Sequence, residues 1–92
     1  ISIFYFLDYW IRDDRADIVS LDSIITVRDR RLNILTTDSS DREERNLRII
    51  NIEEQDHGLY RCVRGDLTLN ESLLYVLSKF IHFLLCSLVL SQ

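Results

Sequence analysis

Short apolar runs broken by acidic and amide residues recur along the whole chain. Leu47 and Ile49 alternate with polar neighbours in Asn46-Leu47-Arg48-Ile49-Ile50-Asn51-Ile52, a stretch rich in β-branched residues. That spacing fits a strand with one buried face. Similar runs predict strands near 5–12, 17–21, 24–28, 31–36, 46–52, 59–64 and 71–77. The chain has no proline and two glycines, Gly58 and Gly65, so its turns must rest on aspartate and asparagine. Asp13-Asp14, Asp22-Ser23, Asp38-Ser39-Ser40-Asp41, Asp66 and Asn70 supply them. Ser40-Asp41-Arg42-Glu43 fits a helix capping box, with Leu47 and Ile50 following at helical spacing. Against a helix stand Ile49, Ile50 and Ile52, so Asp41 to Arg45 reads as a solvated loop between two strands.

The two ends differ from the middle. Phe80 to Leu90 is an apolar run of 11 residues, preceded by Ser78 and Lys79 and interrupted by His82. A membrane helix needs about 20 apolar residues. The run is open to three readings: a truncated membrane span, the cleaved tail of a lipid-anchor signal, or misread non-coding sequence or a helix covering the core. In each of them it is helical or disordered and lies outside the sheets. Ile1 to Leu7 is also apolar, but it is too short for a signal peptide and lacks a basic start and a cleavage site.

One string carries more information than the rest: Asp56-His57-Gly58-Leu59-Tyr60-Arg61-Cys62. Gly58 permits a backbone conformation that a side chain resists. Asp56 can accept hydrogen bonds or pair with a cation. Tyr60 and Cys62 fall on the same face of a strand. This D-x-G-x-Y-x-C string resembles the entry to strand F of an immunoglobulin-like domain, with Tyr60 as its tyrosine corner. Asn46 to Ile52 resembles strand E, Arg30-Arg31-Leu32-Asn33-Ile34 strand D, and Trp10 the buried tryptophan of strand C. The stretch between Trp10 and Cys62 leaves room for strands C′ and C″, which favours the variable-like class (V-set or I-set).

The resemblance implies an all-β antiparallel sandwich, residues 1–78 forming a partial domain of strands C to G and 79–92 an apolar tail. It implies an ion pair between Arg31 and Asp56. The family's first cysteine, on strand B, would fall before Ile1, so strands A and B are expected to be missing and Cys62 to lack its partner in the chain. Cys86 lies where the family pattern places no bridging cysteine. A Cys62–Cys86 bond stays open, because pairing requires a Cα separation that sequence does not give. A native disulfide contributes about 2–5 kcal/mol in small secreted domains, against about 5–15 kcal/mol for a whole domain. An uncovered edge where strand B belongs would also invite strand addition or aggregation.

Charge narrows the partner class. The 92 residues carry a formal net charge of −4, and the arginines are interleaved with acids, so no basic footprint for nucleic acid exists. Asn70-Glu71-Ser72 is an N-glycosylation acceptor, expected in the loop between strands F and G. With the family resemblance it implies a glycoprotein outside the cell or at the plasma membrane, attached there through the tail. His57, His82, Cys62 and Cys86 show no paired metal-ligand spacing. Glu53, Glu54 and Asp56 read as a solvated turn and not as catalytic carboxylates. No phosphate loop or nucleophile elbow is present. The expectation is therefore no enzyme and no cofactor.

What remains is recognition. If Trp10, Tyr60 and Cys62 face inward, Tyr9, Ile11, Leu59, Arg61 and Val63 face outward and form an apolar stripe flanked by an arginine. Such patches mark interaction sites, and aromatic and arginine anchors are typical of hot spots. The resemblance implies adhesion or receptor recognition of another cell-surface or extracellular protein, a second immunoglobulin-like domain included. Two alternatives stay beside it: a structural repeat within a larger multidomain protein, and a gene fragment without function.

Overall fold

The computed structural model describes residues 8–65, 67–74 and 82–89. The apolar segment 1–7, Asp66 and the tail residues Lys79 and Phe80 lie outside the described residues. The described chain is all-β. Its strands are β1 Asp8–Arg12, β2 Asp17–Leu21, β3 Ile24–Ile25, β4 Leu32–Asp38, β5 Arg42–Ile49, β6 Gly58–Arg64, β7 Leu67–Leu74, β8 His82–Leu84 and β9 Ser87–Val89. A 3-10 turn, Glu54–Asp56, precedes β6.

Two antiparallel sheets result. The first has the order β3-β2-β1-β6-β7, and the second β4-β5-β8, with β9 also paired to β5. All pairings are antiparallel. Both sheets contribute to one core: Trp10, Val19, Tyr60, Cys62 and Leu74 from the first, Leu47, Ile49 and Leu84 from the second, with Ile52 and Cys86 from the connections. Alternation explains the selection. In β1 buried Trp10 sits between half-buried Tyr9 and Ile11, and in β5 Leu47 and Ile49 are buried while Arg48 between them is not.

The tail departs from the expectation of a helix or coil outside the sheets. Leu47 lies opposite Leu84 and Ile49 opposite His82, while Glu44 lies opposite Ser87 and Arg42 opposite Val89. The register does not shift between the two strands, and the Arg45 N–H donates to the Cys86 carbonyl at 2.9 Å in the gap between them. Residues 82–89 thus lie along β5 as one extended segment. The physical reason is a period of two hidden in an apolar run. Leu84 and Cys86 are buried, whereas Phe83 and Leu85 between them are 53% and 61% exposed. An uninterrupted apolar string reads as a helix, yet here only alternate residues enter the core.

That placement also corrects the cysteine assignment. Cys62 is not unpartnered: it is bonded to Cys86, with Cα atoms 6.1 Å apart, inside the range a disulfide requires. The bond closes a loop of sequence separation 24 and links β6 of the first sheet to the segment paired with β5 of the second. A closed loop of that size stabilises by about 3 kcal/mol in the chain-entropy account.

Three local expectations change as well. Arg42 to Arg45 belongs to β5 and is not a loop: Glu43, Glu44 and Arg45 pair with Asp38, Thr37 and Thr36 of β4, and Arg42 with Val89 of β9. Charged residues tolerate a strand here because each has an ion partner: Arg45 pairs with Asp38 at 2.6 Å, Glu43 with Arg64, and Arg42 with Glu44. Strand β7 starts at Leu67, so Asn70 is a strand residue opposite Cys62 and not a loop residue. The tight β6–β7 turn that moves it there has Gly65 at φ 60°, a conformation glycine adopts without strain. Gly58 is different: its φ is not in that region, and it is glycine for space. A Cβ there would lie 2.7 Å from Asp14 Oδ1 and 2.8 Å from Arg12 Nε.

Candidate recognition surface

The turn into β6 is held by a charge cluster. Arg31, just before β4, donates from Nη1 to Asp56 Oδ2 at 2.6 Å and from Nη2 to Asp56 Oδ1 at 2.9 Å. Asp29 grips the same guanidinium from the other side at 2.8 Å. Asp56 also accepts the Glu53 N–H at 2.8 Å, and its backbone carbonyl accepts the Tyr60 hydroxyl at 2.6 Å. Burial alone would raise the Asp56 carboxyl, but the bonds from Arg31 and the Glu53 amide outweigh it and hold it below the usual carboxylate range. Burial pushes the Tyr60 hydroxyl up to about 12. The bond to Asp56, with help from Asp29, raises the Arg31 guanidinium further.

Arg12 closes the cluster over Tyr60. Its guanidinium carbon is 5.4 Å from the ring centroid, and it donates to Asp14 Oδ1 at 3.3 Å and to the His57 carbonyl. Asp14 in turn accepts the Leu59 N–H at 3.2 Å. The groups in this network are bound to one another, as a mechanical lock requires. A cleft of about 490 Å³ beside it is lined by Arg12, Arg15, Arg28 and Arg31 against Asp17, Asp29, Glu53 and Asp56. Its four arginines and four acids balance in number. The far end has a matching clamp. Arg64 donates to Asp8 at 2.6 Å and 2.9 Å and also reaches Glu43 of the second sheet.

Trp10 and the disulfide occupy the centre. Trp10 lies opposite Cys62 on the neighbouring strand, and its indole N–H donates to the Arg45 carbonyl across the sheets at 2.7 Å. Its backbone N–H donates to the buried Ser20 hydroxyl at 3.2 Å. The register of β1 against β2 shifts between Trp10 and Ile11. This irregularity buries both Val19 and Ser20 and leaves Ile18 and Leu21 on the other side of the sheet.

The outward face of the first sheet can be read from the ladder. Across the strands, Val63, Tyr9, Leu21 and Ile24 form one row, and Glu71, Arg61, Ile11 and Ile18 the next. Ile24 is 68% and Ile18 42% exposed, while Tyr9, Ile11, Leu59 and Arg61 are half-buried. Val63 departs from the expected exposed stripe, since only 4% of it is accessible although it lies outside the core cluster. Arg61, on β6 beside Ile11, donates to Asp13 at 2.7 Å. Its Nε is buried without an acceptor. The sequence reading missed Ile18, Leu21 and Ile24. Two adjacent apolar residues, Ile18 and Val19, concealed which of them faced out until the shift in register was known.

Among the described residues no group of three or more His, Cys, Asp or Glu side chains is placed to hold a metal ion. Among the same residues no helix is long and apolar enough to cross a membrane. The chain was compared with protein-family models, curated proteins and solved structures, and no match was found.

Proposed function

We propose that this chain is a variable-like immunoglobulin domain that acts by docking another protein onto the outward face of its first sheet, outside the cell or at its surface. The sheet orders support the fold part of this reading. β3-β2-β1-β6-β7 corresponds to C″-C′-C-F-G, and β4-β5-β8 to D-E-B, with the tail in the place of strand B. The tryptophan beside an inter-sheet disulfide and the tyrosine hydroxyl bonded four residues back add to it.

The observation that carries the functional part is the pair of cross-strand rows. Ile24, Leu21, Ile18, Ile11 and Tyr9 give a contiguous apolar strip across β3, β2 and β1, with Arg61 of β6 at its end beside Ile11. Removing such a strip from water contributes roughly 25 cal/mol per Å² of apolar surface, and a partly desolvated arginine beside it supplies directional bonds. Asp13 keeps that arginine oriented in the free protein.

The test uses full-length biotinylated chain, tetramerised on streptavidin, to stain a panel of cultured cells and immobilised ectodomains. Ile24→Asp and Ile18→Asp change exposed positions and leave the core intact, which near-ultraviolet circular dichroism and an intact disulfide verify. Loss of wild-type staining by at least tenfold in both variants supports the assignment. Staining that survives both substitutions refutes it.

A further inference from the structure

We propose that residues 82–89 form an exchangeable strand and that the β5 edge of one copy takes this strand from a second copy of the chain. This inference does not rest on the outward face of the first sheet. The occupant is set by the fit already seen within one chain. The segment pairs with Arg42–Ile49 in a continuous register, buries Leu84 and Cys86, and places Cys86 on Cys62. The Cys86 N–H is received by Asn46 Oδ1 at 2.8 Å and its carbonyl by the Arg45 N–H at 2.9 Å. The hydrogen-bond ladder, the buried pair and the disulfide all lie on β5, Cys62 and the core. None of them depends on which chain delivers the strand.

Residues 75–81 join this strand to β7 in sequence. Joining two segments of one chain through a few residues corresponds in general to an effective concentration of about millimolar. When the chain concentration during folding approaches that value, delivery from a neighbour competes with delivery from within. The exchanged form has the same core, and it carries the entropy of association. Phe83 and Leu85 are exposed on this strand while Leu84 and Cys86 are buried. The disulfide then traps whichever arrangement formed. Two cysteine thiols close one S–S bond while glutathione disulfide is reduced to two glutathione thiols, which take up the two protons.

The experiment refolds an equal mixture of ¹⁴N- and ¹⁵N-labelled full chains from the reduced state with glutathione disulfide, at about micromolar and at about millimolar concentration. Dimer is isolated by size exclusion and digested without reduction. The expected result is a dimer fraction that rises steeply with concentration, in which Cys62–Cys86 linked peptides of mixed isotope equal those of single isotope. Monomer should yield single-isotope linkages only. The inference is overturned if no dimer forms at either concentration, or if the dimer carries only single-isotope Cys62–Cys86 linkages.

Discussion

Replacing Asp56 by Asn removes one negative charge from a nearly buried carboxylate while keeping its shape. In the native protein that carboxylate receives two bonds from Arg31 and one from the Glu53 N–H. The amide can still accept from Glu53, but it presents an NH₂ group to one arm of the guanidinium. Arg31 keeps Asp29 at 2.8 Å, so its charge is not stranded. Breaking a fully buried pair destabilises by about 3–5 kcal/mol. The remaining partner and the partial exposure of Arg31 lower the expectation for Asp56→Asn to about 2 kcal/mol. Urea unfolding followed by tryptophan fluorescence gives the difference through the midpoint at constant m-value. A cycle with Arg31→Met should return a coupling of at least about 1 kcal/mol. The pH dependence has a defined sign. The folded carboxyl titrates below its unfolded value of about 3.9, so its contribution is present above that value and fades as pH falls through the folded one. Asp56→Asn should therefore flatten the acid limb of the stability profile. A loss under about 0.5 kcal/mol, within the range of ordinary surface changes, or an unchanged acid limb, would refute the view of this pair as the lock of the β6 entry.

Other expectations are simpler. Ala16 has φ 54° in the β1–β2 turn, so Ala16→Gly should raise stability by about 0.5–1 kcal/mol in the same urea assay, relief of left-handed strain exceeding the added chain entropy. Trp10→Phe should destabilise by about 2 kcal/mol, since the Arg45 carbonyl loses the indole donor and a cavity opens beside the disulfide. The Tyr60 hydroxyl is raised in the fold. Its share of stability is therefore complete below the unfolded value of about 10 and lost as pH rises through about 12. Absorbance at the phenolate band, compared with Tyr60→Phe, should show that one tyrosine ionises last.

The middle of the chain was legible because its information is local. Trp10, Tyr60 and Cys62 alternate with polar or half-buried neighbours, and the strands run close to where that alternation places them. The pairing of Arg31 with Asp56 was expected from the family resemblance alone, and the two bonds between them bear it out. The part of the core supplied by residues 82–86 was not legible. Phe83, Leu84, Leu85 and Cys86 are all apolar, so no polar residue marks which side is buried. Only pairing with β5 creates the distinction, and pairing is a non-local fact. Arg42 to Arg45 misled in the opposite way: four charged residues in a row read as solvent-facing loop, although cross-strand partners hold them in a strand. Val63 was placed on the correct face, but its exposure depends on what covers that face, which spacing does not encode.

The strand that completes the second sheet follows every other described strand in sequence. Synthesis delivers segments in order, and folding proceeds from the N-terminal side. β5 must therefore wait through β6 and β7 before its neighbour exists, with one edge open and Cys62 still a thiol. Contacts between residues 42–49 and 82–89 are long in sequence and slow to form. Timing thus acts on this fold as strongly as affinity does. Until residue 86 has been made, the protein is a half-covered sheet that depends on being kept apart from its neighbours. Afterwards a single oxidation fixes the result.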